Sequence, residues 1–101
     1  MGLKTNKKVI IYIKNGCKTC HDFSAWLNSI GMKHETVEIM QNREEWEAAK
    51  EEAQIDGVKF ASIPTIMIVD GDKRTYFNMP RDFKKFEQGR VLIQNELLKG
   101  L

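Results

Sequence analysis

Cysteine is scarce in this chain of 101 residues: Cys17 and Cys20 are the only two. Without a second pair, a zinc site built from four thiolates is excluded. Histidine is as scarce, with His21 and His34 alone. His21 adjoins Cys20 and is badly placed to share a metal with both thiols, so no metal site is expected. No apolar run approaches the roughly 20 residues that cross a membrane. Neither sign of charge dominates: 16 basic against 14 acidic residues leave a net +2, too weak a balance to argue for nucleic acid as a partner. Repeats, low-complexity tracts and linkers are also lacking. The length fits one small domain with one modest core. The chain opens on a polar, basic stretch, and the apolar run after it is short and has no small-residue cleavage site, so no secretory signal is expected. Two cysteines in that context point to a reducing compartment, the cytoplasm, where disulfides are transient and catalytic.

What is present reads as alternating strands and helices. Residues 1–7 form a frayed lead, and residues 8–101 the domain. Val9-Ile10-Ile11-Tyr12-Ile13 is short, continuous and β-branched, which suits a strand buried on both faces. Asn15-Gly16 is a turn. A first helix runs from about Cys17 to Ile30, with Gly31 as its stop. Residues 33–39 make a second strand with Val37 and Ile39 on one face. Arg43 to Ala53 is a charged helix with a narrow stripe of Trp46, Ala49 and Ala53, and Gly57 follows it. Ile66 to Val69 is a third strand, Asp70-Gly71 a hairpin signal, and Thr75 to Phe77 a fourth strand. After a break at Met79-Pro80, a last helix is predicted from about Arg81 to Lys99, with Phe83, Phe86, Arg90, Ile93 and Leu97 along one face. Gly89 inside it costs about 1 kcal/mol against Ala and invites a kink. The expected fold class is α/β: a β-α-β-α-β-β-α order, a four-stranded mixed sheet and helices on both faces.

The two cysteines fall at the mouth of the first helix, directly after a strand. A Cys-x-x-Cys pair in that place is a sign of thiol–disulfide chemistry. If the helix begins at Cys17, that thiol faces backbone N–H groups with no intrahelical partner, which stabilise a thiolate. Lys14 and Lys18 add positive charge nearby. Cys20 lies one turn further in, close enough to bridge. The apolar stripe Phe23, Trp26, Leu27 and Ile30 continues from it, so Cys20 is expected on the core side and Cys17 at the exposed tip. One sulfur attacks and the other resolves.

At this point the chain resembles the glutaredoxins, within the thioredoxin-like group, over nearly its whole length after residue 7. Tyr12-Ile13-Lys14-Asn15-Gly16-Cys17-Lys18-Thr19-Cys20-His21 is similar to the family's strand, lysine and Cys-Pro-Tyr-Cys run. Ser62-Ile63-Pro64-Thr65 is similar to its Thr-Val-Pro segment. The Asp70-Gly71 hairpin and the polar pair Arg81-Asp82 complete the likeness. The resemblance implies Cys17 as nucleophile, Cys20 as resolving thiol, and Lys14 as stabiliser of the thiolate. It implies a cis Pro64 that exposes the Ile63 backbone to a glutathione or peptide chain. Lys14, Lys18, Thr19, Ile63, Pro64, Arg81 and Asp82 would line that groove, with Asp82 facing the glutathione ammonium. No cofactor is expected to be held; glutathione is the expected co-substrate, disulfide-bearing proteins the expected partners, and a monomer the expected state.

Two departures stand out. The central dipeptide is Lys-Thr in place of Pro-Tyr, which keeps the chemistry and alters potential and partner choice. The family's Gly-Gly pair after the last strand is replaced by Asn78-Met79, followed by Pro80, and side chains there would crowd glutathione. Three readings follow: an oxidoreductase coupled to glutathione, a related redoxin served by thioredoxin reductase, and a non-catalytic binding module on the same fold.

Overall fold

The computed structural model describes residues 6–55 and 63–99. Among them the order is β1 (Lys8–Ile13), α1 (Lys18–Ser29), β2 (His34–Glu38), α2 (Arg43–Ala53), β3 (Thr65–Asp70), β4 (Lys73–Asn78) and α3 (Phe86–Leu98). The strands form one sheet in the order β2-β1-β3-β4. β1 pairs with β2 in parallel, Val9 opposite His34, and with β3 antiparallel, Tyr12 opposite Thr65. β3 and β4 form the expected hairpin, with Gly71-Asp72 between paired Asp70 and Lys73.

The alternation along β1 explains how the sheet is covered, because successive side chains point to opposite faces. Val9 and Ile11 join Ile66 and Ile68 in a core closed by Phe23 and Leu27 of α1 and Ile93 and Leu97 of α3. Tyr12 and Met67 face the other way, into a smaller core with Val37, Ile39, Trp46 and Ala49. Helices α1 and α3 therefore cover one face and α2 the other. Tyr12 and Trp46 pack ring to ring at 5.4 Å, and Lys50 lies over the indole at 5.5 Å.

The helix ends follow local chemistry. α1 stops at Gly31, whose φ of +71° is left-handed backbone that glycine adopts without a Cβ penalty. Gly31 N–H donates to Asn28 and Met32 N–H to Leu27, the paired bonds that satisfy orphan carbonyls at a helix end. α2 ends on Gln54 in left-handed backbone; Gly57 lies outside the described residues. Lys7, assigned to the lead from sequence, donates to the carbonyls of Glu96 and Lys99 at the end of α3.

The last helix is shorter than the sequence predicts. It begins at Phe86, and residues 79–82 form a turn. The reason is a set of local bonds that compete with helix formation. Asp82 N–H donates to Asn78 O at 2.7 Å. Asn78 N–H donates to Asp82 Oδ2 at 2.8 Å, and Arg81 N–H reaches Asn78 Oδ1 at 3.4 Å. Phe83 therefore enters the core from the loop rather than from the helix face. Gly89 lies within one unbroken helix and has a packing role: a Cβ there would stand 2.7 Å from Phe23 and Phe83 ring atoms.

Candidate active site

The cysteine loop grows out of the end of β1. Cys17 N–H donates to Lys14 O at 3.1 Å, closing a tight turn over Asn15-Gly16. Gly16, at the third position of that turn, has φ +88°, the conformation this turn type reserves for glycine. The turn is braced from β2. Glu38 accepts from Asn15 N–H at 3.2 Å and from the N–H groups of Met40 and Gln41. Desolvation would raise the Glu38 pKa, but these three donors and the Lys14 charge outweigh it and hold the carboxyl below its ordinary value.

Cys17 is the N-cap of α1, in extended backbone, and Lys18 is the first helical residue. Its Sγ accepts from Cys20 N–H at 3.1 Å, one of the orphan donors of the first turn. The two sulfurs are joined in a disulfide with Cα atoms 5.3 Å apart. Cys17 is half-buried, whereas Cys20 is only 3% exposed. The predicted asymmetry of the pair is therefore present, with one adjustment. Phe23 and Leu27 belong to the larger core, while Cys20 groups with Tyr12, Trp46 and Ile63 in the smaller one.

A cleft of about 220 Å3 opens beside the pair, lined by Lys14, Asn15, Cys17, Cys20, Ser24 and Thr36 among others. Lys14 is half-buried there. Lys18 is exposed and paired with Asp22 at 3.0 Å, and Thr19 is half-buried. Because Tyr12 pairs with Thr65, Ile63 and Pro64 emerge at the end of the sheet where β1 runs into the cysteine loop. The Ile63–Pro64 peptide is cis, and both residues are buried. Met79 N–H donates to Pro64 O at 3.2 Å, tying the two loops together. Ser62 lies outside the described residues.

Two expectations for the segment after β4 need correction: the helix start at Arg81-Asp82 and the crowding by Asn78. Asp82 does not sit at a helix start; its carboxylate binds Asn78 N–H and the Arg81 guanidinium. Arg81 is likewise engaged, donating to Ala53 O at 2.6 Å and Tyr76 O at 3.4 Å. Asn78 does not crowd the groove. It is buried, with its amide on Thr65 Oγ1 at 2.8 Å, and Met79 packs against the larger core.

Nothing in the sequence singles out Ser24, Thr36 or Glu38, and His34 is weighed there only as a metal ligand. Ser24 follows Cys20 by four residues, so its place on the same helix face was legible. His34 meets it only through the α1–β2 crossover, at 2.7 Å between Ser24 Oγ and His34 Nε2. Among the described residues, no group of three or more His, Cys, Asp or Glu side chains is arranged to hold a metal ion. No helix among them is long and apolar enough to cross a membrane.

No curated protein matches the chain. The family model for the glutaredoxins matches residues 9–73, which span β1 to the start of β4 and so contain the cysteine pair, its helix and the Ile63–Pro64 segment. With that match and a four-stranded mixed sheet flanked by three helices, the chain belongs to the glutaredoxin family.

Proposed function

We propose that the protein is a thiol–disulfide oxidoreductase that reduces protein or glutathione mixed disulfides through Cys17 and Cys20. The observation that carries this is the cysteine pair itself: half-buried Cys17 at the α1 N-terminus, its Sγ bonded to Cys20 and accepting the Cys20 N–H. In the dithiol state that N–H and the positive helix end favour a thiolate at Cys17. The thiolate attacks a substrate disulfide, forms a mixed disulfide, and expels one substrate sulfur as a thiolate. Cys20 then attacks Cys17 Sγ, forms the intramolecular disulfide, and releases the second substrate thiol. Two electrons pass from the dithiol to the substrate, and the oxidised pair is the form described above.

Glutathione is the proposed reductant and co-substrate. The backbone beside Ile63-Pro64 would pair with it, and Lys14, Lys18 and Thr19 would stand around its reacting end. The inward turn of Asn78 supports this reading, since its side chain is buried against Thr65. A second reading, a redoxin served by thioredoxin reductase, is favoured by one observation: Arg81 and Asp82 already bind the protein's own backbone. A reducing compartment such as the cytoplasm and a monomeric state suit either reading.

The test is reduction of a glutathione mixed disulfide and of insulin, coupled in parallel to glutathione with its reductase and to thioredoxin reductase. Activity is expected with the wild-type protein and lost in Cys17→Ser. Activity that survives Cys17→Ser refutes the mechanism, and efficient turnover only with thioredoxin reductase replaces the first reading with the second.

A further inference from the structure

We propose that Ser24 and His34 form a proton relay that accepts the Cys20 thiol proton when Cys20 resolves the mixed disulfide; the proposal rests on the dithiol chemistry above. Cys20 is 3% exposed, and burial in apolar surroundings disfavours a thiolate. Its attack on Cys17 therefore calls for a nearby proton acceptor. Ser24 lies one turn further along α1 and lines the same cleft as both cysteines. Its Oγ is 2.7 Å from His34 Nε2, in a part-buried contact. The other ring nitrogen, Nδ1, faces Met32 O at 3.4 Å. A carbonyl can only accept, which assigns the hydrogen to Nδ1 and leaves Nε2 as the acceptor of the Ser24 hydroxyl. The imidazole is thus a base directed at the cleft through a hydroxyl.

The cleft is roomy enough for water, which occupies about 30 Å3 per molecule. The Cys20 proton passes to a cleft water, from that water to Ser24 Oγ, and the Ser24 proton to His34 Nε2. The Cys20–Cys17 bond forms as the bond from Cys17 to the substrate sulfur breaks. The departing thiolate takes up a proton from solvent, and the imidazolium returns its own. No other oxidant or reductant is needed. Lys7, Lys8, Lys33 and Glu35 line the hollow on the other side of His34, and His21 lines the cleft beside Ser24. Asp22 is paired with Lys18.

The experiment uses the reduced full chain and a soluble nitrophenyl disulfide whose released thiolate is coloured. The first equivalent reports attack by Cys17 and the second reports resolution by Cys20. The wild-type second phase is expected to slow through an inflection as pH falls, because a protonated imidazole no longer accepts the proton. Ser24→Ala and His34→Gln should slow that phase about a hundredfold or more, the usual scale of general-base assistance, and His34→Gln should erase the inflection. Ser24→Thr, which keeps the hydroxyl, should restore the rate, and the first phase should stay within about twofold throughout. The relay is overturned if the second phase is unchanged, if both phases fall together, or if the inflection vanishes in His21→Gln instead. Absence of the first phase in wild type overturns the dithiol reading itself, and the relay with it.

Discussion

Replacing Gly89 by alanine sets two effects of opposite sign against each other. Helix propensity alone makes Gly89→Ala stabilising by about 1 kcal/mol, because glycine is a poor residue inside a helix. The structure points the other way. The new methyl would lie 2.7 Å from Phe23 Cζ and from Phe83 Cδ2 and Cε2. Ordinary carbon contacts begin near 3.5 Å, so the rings would have to withdraw by about 0.8 Å or more. Neither ring is free to do so. Phe23 is 0% exposed and Phe83 is 3% exposed. Phe23 is also held edge-on by Phe83 at 5.5 Å and by Phe86 at 4.8 Å between centroids. Overpacking of this kind costs about 1–3 kcal/mol. Less the propensity gain, Gly89→Ala should destabilise the oxidised protein by about 1 kcal/mol, within a range of roughly 0–2. In urea unfolding that is a midpoint lower by about 0.3–1 M, and in thermal unfolding a Tm lower by about 4–8 °C. Gly89→Val should fall further. A Gly89→Ala protein more stable than wild type by the full propensity term would refute the packing argument and leave Gly89 as a plain helix defect.

Two further perturbations test the loops that frame the groove. Asn78→Ala removes the amide bonded to Thr65 Oγ1 and the oxygen that accepts from Arg81 N–H. Because Asn78 and Thr65 are 1% and 0% exposed, a loss of about 1–3 kcal/mol is expected in urea unfolding, and a variant as stable as wild type would contradict the role given to that side chain. Glu38 has a lowered folded-state pKa, so its stabilising effect is complete above the ordinary glutamate value of 4.5 and is lost as pH falls through the lower folded value. The stability gap between wild type and Glu38→Gln, measured by urea unfolding at neutral and acidic pH, should therefore narrow below pH 4.5; a gap that is constant with pH would show that the carboxylate charge does not brace the Asn15 turn.

The seven elements, their order and the place of the cysteine pair are legible in the sequence because each rests on local signals. β-Branched runs, an apolar stripe, Gly31 past the first helix and Asp70-Gly71 in the hairpin all act within a few residues of themselves. The asymmetry of Cys17 and Cys20 was legible for the same reason: the capping position and the core side of one helix turn are set by neighbours in sequence. The rest depends on contacts between elements distant in sequence. The start of α3 moved from Arg81 to Phe86 because Asn78, buried by the sheet, captured the turn that follows it. The intramolecular partners of Arg81 and Asp82 are not written in the sequence either: folding brings Ala53 and Tyr76 carbonyls to the guanidinium and Asn78 to the carboxylate. Ser24 and His34 are ten residues apart and meet only because the parallel crossover lays β2 beside α1. Contacts between elements depend on how their faces are oriented in space, and a linear pattern of side chains does not carry that orientation.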